Sequence, residues 1–270
     1  MEKRKNNRID HQHPKKGFYP PKKTYDKNSL VFGVQSVLET LRSDKEIDRI
    51  LIQREFGHPE VEKLAADLEI PVQRVPIEKL NRVTGKNHQG VIAFISEVNY
   101  AKLTNVIAQA YESGEVPLLL VLDRITDVRN FGAIARTAEC QGVNGIVVPA
   151  RGGAQINADA MKTSSGALNH LPVCREKDLI LTIDELQQSG FQIVACTEKG
   201  EGFLFDADLK IPTAIIMGSE EDGISEGILS RCDTVVKIPM SGKIESLNVS
   251  VAAGMMLYEV TRQRLGDKVV

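Results

Sequence analysis

The sequence has no apolar run long enough to span a bilayer. The longest, such as Val116 to Leu122, falls far short of the roughly 20 residues required, and the N-terminus lacks the apolar stretch of a secretory signal. Both absences point to a cytoplasmic protein with no membrane partner. Cys140, Cys174, Cys196 and Cys232 stand more than twenty residues apart, so there is no CxxC pair and no zinc-ligand spacing. Reduced, mostly buried thiols are expected. His11 and His13 lie in a polar tail, His58, His88 and His170 are scattered, and no HExxH pairing occurs, so no metal is expected. Neither GxGxxG nor GxxxxGK[ST] is present, which leaves dinucleotide and P-loop nucleotide binding without their fingerprints.

What is present is an ordinary globular composition, 42% apolar and 26% charged over 270 residues, with an uneven charge distribution. Residues 1–28 hold nine Lys/Arg against Glu2, Asp10 and Asp26, a net +6, so the remainder carries −8 of the overall −2. This arm is rich in Asn and Pro and poor in aliphatics. It is expected to be disordered and able to neutralise nucleic-acid phosphates, although a solubilising tail has the same composition. Residues 29–97 alternate short helical and strand patterns: "VFGVQSVLETLRS" has helical spacing, "IDRILI" and "GVIAFIS" read as strands, and "PEVEKLAADLE" is a helix between them. Residues 98–116 read as a linker with a short helix. From 117 to 266 the apolar runs "PLLLVL", "GIVVP", "FQIVAC", "TAIIMG" and "TVVKIP" alternate with polar loops and helices. This is the pattern of a parallel sheet covered on both faces, whose ligands sit at the carboxyl ends of the strands.

Three strand-end loops carry the polar chemistry. In "LDRITDVRNFGAIARTAECQG" a strand ends at Asp123 and a helix is expected to begin near Gly132, which puts Asn130 at the loop end and Arg136 about one turn into the helix, facing one crevice. Helix amides plus a guanidinium suit a phosphate, while an Asn cap and a surface Arg would explain the same residues. In "IIMGSEEDGIS" Gly218 would let a ligand approach the backbone and present Glu220 at the sheet edge; an acidic solvated turn is the alternative. In "IPMSGKIESLNVSVAAGMMLYE" Ser246 and Asn248 precede a helix, where capping alone would account for them. Capping does not account for polar residues at three strand ends of one sheet.

Together these loops resemble the three motifs of the SpoU/TrmH ribose 2′-O-methyltransferases of the SPOUT superfamily. The first is D-x-x-N-x-G-A-x-x-R-T-A (Asp127, Asn130, Gly132, Ala133, Arg136, Thr137, Ala138). The second is G-x-E-x-x-G (Gly218, Glu220, Gly223), and the third I-P-M-x-G with S-L-N-V-S (Ile238, Pro239, Met240, Gly242, Ser246 to Ser250). The match spans about 150 residues in order. "HQGVIAF" and "GGAQINADAMKTSSGA" are similar to the RlmB branch, which methylates a guanosine of 23S rRNA. One departure is Val128, where the family usually has proline; the loop loses a fixed φ angle and is expected to gain mobility.

The resemblance implies an α/β catalytic domain with a deep trefoil knot, preceded by a small ribosomal-protein-like α/β domain that binds RNA, and a homodimer packed through the knotted region. It implies S-adenosylmethionine as cofactor, held by Gly218, Ile238 and Leu247 with Met240 and Ser246 beside them. Arg136 would bind a phosphate and polarise the ribose hydroxyl, with Asn130, Glu220, Ser246 and Asn248 orienting it and the ribose, since a guanidinium is itself a poor base. The substrate expected is a guanosine of 23S rRNA. A tRNA methyltransferase or an rRNA resistance methylase would share this core, a non-enzymatic RNA-binding assembly factor could be built on the same fold, and a dehydrogenase would lack its glycine fingerprint.

Overall fold

The computed structural model describes residues 29–244 and 246–266; the basic arm, residues 1–28, lies outside them. A first sheet contains β1 (Leu30–Phe32), β2 (Ile47–Gln53), β3 (Val72–Val75) and β4 (Val91–Ile95) in the order β1-β4-β2-β3. β4 pairs antiparallel with β1 and β2, and β2 pairs parallel with β3. Helices α1 (Val34–Leu41) and α2 (Pro59–Asp67) bury Val37, Leu38, Leu41, Val61 and Ala65 on one face, and α3 (Ile77–Val83) buries Leu80 on the other. The helical reading of "VFGVQSVLETLRS" holds only from Val34. Leu30 to Phe32 form a strand, and Gly33, at φ 88° in the region that favours glycine, turns the chain between the two.

The second sheet has eight strands, all paired parallel: β5 (Tyr100–Ala101), β6 (Leu118–Leu122), β7 (Gly145–Pro149), β8 (Val173–Glu176), β9 (Gln192–Cys196), β10 (Gly202–Phe203), β11 (Thr213–Met217) and β12 (Thr234–Lys237), in the order β10-β12-β9-β11-β6-β7-β8-β5. Its apolar runs bury both faces by simple alternation. Leu118, Leu120 and Leu122 of β6 join one core layer, with α5 (Val128–Cys140), α6 (Ala158–Thr163) and α9 (Val249–Gly266). Leu119 and Val121 join the other, with α4 (Leu103–Glu112), α7 (Leu179–Gln188) and α8 (Glu226–Leu229).

Residues 98–116, expected as a linker with a short helix, are part of this unit. β5 extends the sheet beside β8, and α4 buries Leu103, Val106, Ile107 and Ala110 against it. The two units are tied where β5 begins: Tyr100 Oη donates to Asp48 at 2.9 Å, and Arg175 of β8 donates to the carbonyls of Ile47 and Asp48 at 3.0 and 2.9 Å.

β6 sits at a reversal of strand order. The chain leaves it towards β7 and β8 on one side, and β9, β11 and β12 then fill the other. After β12, Ile238, Met240, Ser246 and Leu247 lie by the ends of β9 and β11, and α9 packs on α5, the helix that follows β6. At the far end of α9, Arg264 donates to the carbonyls of Leu209, Pro117 and Ile211 at 3.0, 3.2 and 3.0 Å, pinning the chain just before β6 and β11; burial lowers its pKa to about 10.

Gly132 in α5 is where α6 crosses closest. A Cβ there would lie 2.7 Å from Thr163 Cβ and 3.0 Å from the Ala160 carbonyl oxygen. Gly132→Ala gains about 1 kcal/mol of helix propensity but overpacks this crossing, at a cost of about 1–3 kcal/mol. A net loss of thermal stability is expected for Gly132→Ala and a larger one for Gly132→Val. A circular-dichroism melt in which Gly132→Ala matches or exceeds the wild-type Tm would show instead that α6 gives way freely.

Candidate functional site

Asp127 is the N-cap of α5, its Oδ1 accepting from the amides of Arg129 and Asn130 at 2.8 and 2.9 Å. The helix therefore starts at Val128, four residues earlier than the sequence reading placed it, and Asn130 lies in its first turn. Val128 takes the first helical position, where proline is favoured, and packs half-buried against the core. The aspartate cap sets the backbone that the proline would have set.

The loop after β11 is a tight return in which Ser219 and Gly223 exchange backbone hydrogen bonds at 3.1 and 3.0 Å. A Cβ on Gly218 would lie 2.2 Å from the Gly223 carbonyl carbon, so this glycine is required by the chain's own approach, not only by a ligand's. Arg124, held at φ 57°, braces the loop by donating to Asp222 and to the Gly223 carbonyl, both at 3.1 Å. The neighbouring Asp123, buried at the end of β6, accepts from the Ser225 amide at 2.7 Å.

Glu220 Oε1 is where the three loops meet. It accepts from Asn130 Nδ2 at 3.0 Å, Asn248 Nδ2 at 2.7 Å and the Val249 amide at 3.4 Å. Asn248 Nδ2 also donates to Asn130 Oδ1 at 3.0 Å, while Asn248 Oδ1 caps α9 through the Ser250 and Val251 amides at 3.0 and 3.4 Å. Asn130, Glu220 and Asn248 are thus one network, and Glu220 is not merely part of a solvated acidic turn. Glu220 Oε2 has no hydrogen-bond partner among the described residues, which leaves it able to accept from a ligand.

An open cavity lies beside this network. Its walls include all five residues assigned to the cofactor, Gly218, Ile238, Met240, Ser246 and Leu247. They also include Cys196, Thr197 and Glu198, from the end of β9, which the sequence reading passed over. The signal for them was available: "FQIVAC" is another strand of the same sheet, and its carboxyl end lies beside that of β11. Burial raises the Cys196 thiol to about 12, so it stays protonated near neutrality. Ser219, Glu220 and Val249 form a shared wall between this cavity and a second one, lined also by Arg124, Asp127, Asn130 and Gly152.

Arg136 does not join the network. It lies six residues beyond Asn130, about 9 Å along the axis and rotated by about 240°, exposed and without a hydrogen bond or ion pair among the described residues. The sequence reading had them facing one crevice because it began the helix too late. Ser246 lines the cavity without a hydrogen bond to the other candidates among the described residues. Of the cysteines, Cys174 is buried, Cys196 and Cys232 are half-buried, and Cys140 is exposed, so burial is not general.

Polar residues from three strand ends share one carboxylate at the wall of a mixed apolar and polar cavity, an arrangement suited to a small amphipathic molecule. The comparisons with known proteins agree. Residues 117–258 match the SpoU rRNA Methylase family and residues 30–101 match the RNA 2′-O ribose methyltransferase substrate binding family. The chain is 35% identical over 240 residues, 88% of its length and 96% of the relative's, to YacO of Bacillus subtilis (strain 168), a protein named for the TrmH family of tRNA/rRNA methyltransferases. Among solved structures it resembles the SpoU methyltransferase AviRb of Streptomyces viridochromogenes in complex with the cofactor AdoMet, with 26% identity, a TM-score of 0.57, and coverage of 88% of this chain and 90% of that one. It also resembles an RNA 2′-O ribose methyltransferase, with 27% identity, a TM-score of 0.52, and coverage of 87% and 88%. The matched region spans both units and contains all three loops, and the chain belongs to the SpoU rRNA methylase family.

Proposed function

We propose that this protein transfers a methyl group from S-adenosylmethionine to the ribose 2′-hydroxyl of a guanosine in 23S rRNA, in the cytoplasm, as a homodimer of knotted catalytic domains. The observation that carries this reading is the shared wall of Ser219, Glu220 and Val249, with the cofactor-type cavity on one side and an open polar cavity on the other. The first cavity fits the cofactor by its donor set. Met217, Ile238, Leu247, Val249 and Ala252 offer apolar surface for an adenine ring, and Thr197, Glu198, Ser219 and Ser246 offer polar groups for hydroxyls and an amino-acid end. S-adenosylmethionine supplies an electrophilic methyl group when bound.

The chain's own residues do the rest. Asn130 and Asn248 hold Glu220 by Oε1, which leaves Oε2 to accept a hydrogen bond from the ribose hydroxyl and orient its oxygen. Orientation of this kind lowers a barrier by several kcal/mol. Arg136, uncommitted and exposed, binds a backbone phosphate of the same RNA. The packing of α9, which follows β12, on α5, which follows β6, supports the knotted reading, in which the chain before α9 is threaded and α9 is locked against α5.

The homodimer reading rests on α9, whose outer face exposes Val251, Met255 and Tyr258 at 51, 42 and 61%, one helical stripe beside the contact with α5. Pairing through this stripe would bring Arg136 of one subunit towards the cavities of the other and so complete a site that a single chain leaves in two parts. The 23S rRNA assignment rests on the similarity of the "HQGVIAF" and "GGAQINADAMKTSSGA" segments to the RlmB branch. A tRNA substrate would use the same network.

Mapping 2′-O-methyl sites in rRNA and tRNA from cells with and without the gene tests the substrate. A mark lost from 23S rRNA is expected, and one lost only from tRNA would overturn it. Arg136→Ala is expected to reduce methyl transfer by orders of magnitude with S-adenosylmethionine binding unchanged by calorimetry; loss of both together would refute this division of roles. Replacing Met255 and Tyr258 by Asp is expected to halve the mass seen by light scattering, and a wild-type protein that is already monomeric would remove the dimer.

A further inference from the structure

The cleft between the two units is lined by Arg49 and Gln73 from the small unit and by Arg151, Gln155 and Arg175 from the large one. Asp48 also lines the cleft, where its carboxylate accepts from the Tyr100 hydroxyl, so three arginines face a single acidic side chain. In the adjoining cavity Arg74 is paired with Glu62 at 2.8 Å and Lys177 with Glu69 at 2.6 Å. In the cleft, none of the three arginines has a carboxylate partner among the described residues. Arg175 is spent on the Ile47 and Asp48 carbonyls and stacks 4.1 Å over the Tyr100 ring, so it holds the units together. Arg49 and Arg151 remain. The Arg49 guanidinium lies 4.5 Å over the Phe94 ring, with Nε buried and without a hydrogen bond. Arg151 makes only a long contact of 3.5 Å to the Val72 carbonyl.

The buried Nε is out of a ligand's reach, and it is the terminal Nη groups of Arg49, without a hydrogen bond among the described residues, that can meet an anion. The chain outside the basic arm carries a net −8, so two uncommitted arginines facing one cleft run against the charge of the body they sit on. The cleft also leads to the reaction centre. Gly152, in the "ARGGAQIN" loop after β7, lines both the cleft and the cavity that holds Asn130 and Glu220. At φ 83°, and with open space where a Cβ would stand, it keeps the neck between them free.

We propose that the interdomain cleft seats the phosphodiester backbone of the RNA next to the target nucleotide. Arg49 and Arg151 each engage a phosphate, and the strand passes over Gly152 to present its ribose at Glu220. A guanidinium over an aromatic ring, with its N–H groups directed at an anion, is a phosphate grip in which the ring restricts the arginine before binding. The two units then act on one strand, the small one fixing the backbone and the large one the sugar. This inference rests on the RNA reading given above.

The test measures binding of full-length protein to protein-free rRNA across a salt series, for the wild type, Arg151→Gln, the pair Arg49→Gln with Arg151→Gln, and Arg151→Lys. Two lost phosphate contacts on a single strand should lower the slope of log K against log salt by about 1.4, and Arg151→Gln alone by about 0.7. Arg151→Lys should restore the slope, and calorimetric S-adenosylmethionine binding and Tm should match the wild type. If Arg49→Gln fails to fold, the Arg151 variants carry the same expectation alone. A slope unchanged in Arg151→Gln and in the double variant would overturn the cleft while leaving the methyltransferase reading in place. A wild type that binds S-adenosylmethionine but not rRNA would overturn both the cleft and the rRNA substrate.

Discussion

The site depends on one carboxylate oxygen. Glu220 Oε1 takes hydrogen bonds from residues 90 and 28 positions away in sequence, and through them holds the loop after β11 to the starts of α5 and α9. The loop after β11 has one backbone pair of its own, Ser219 with Gly223, and ordering the irregular backbone around it costs about 1–2 kcal/mol per residue. A carboxylate suits the task because it only accepts, so three N–H donors can converge on one atom without orienting a proton of its own. Asn130 and Asn248 suit it from the other side, since each amide donates through Nδ2 and accepts through Oδ1. Asn248 uses both ends at once, on Glu220 and on the amides that open α9.

The sheet determines that these loops can meet. β6 and β11 are neighbours, yet the chain leaves β6 towards β7 and reaches β11 only after crossing to the other side, so the loops beyond their carboxyl ends diverge. Such a reversal leaves a crevice at the strand ends, and Asn130 and Glu220 stand on its two sides. Arg124 and Asp123, both at the end of β6, then set its width. Asp123 fixes the Ser225 amide and Arg124 spans to Asp222 and Gly223, so the acidic loop is held at two points before Glu220 is engaged.

Much of this was legible in the sequence, and the reasons differ by element. The runs that became β6, β7, β9, β11 and β12 were apolar on both faces, which only a covered parallel sheet explains. β8, "VCRE", is short and ends in two charges, so it gave no such run, although Arg175 uses that end to hold the small unit. The five residues assigned to the cofactor cavity do line one cavity, because motif order reflects strand order. Arg136 stands farther from the loop than expected because the helix begins at Val128 behind its Asp127 cap and not near Gly132. Moving the start by four residues keeps Arg136 on nearly the same face but sets it about 6 Å, one further turn, from the loop. Thr197 and Glu198 belong to no motif, and only the adjacency of β9 and β11 brings them to the cavity.

Arg136 is therefore the informative exception. Every other polar residue of the three motifs is tied to a neighbour or lines the cavity, whereas this guanidinium stands exposed on α5 and bonds to nothing among the described residues. α5 packs against α9, with Thr137 Cγ2 3.7 Å from where a Cβ on Gly254 would stand, so Arg136 is carried by the helix that packs on the one exposing Val251, Met255 and Tyr258. An apolar stripe flanked by an unpaired arginine is poorly suited to water on both counts. Covering the stripe removes apolar area from solvent at about 25 cal/mol per Å², and any carboxylate or phosphate brought up with the covering surface gives the arginine a partner. The two features lie on helices that pack together but are far apart in the sequence.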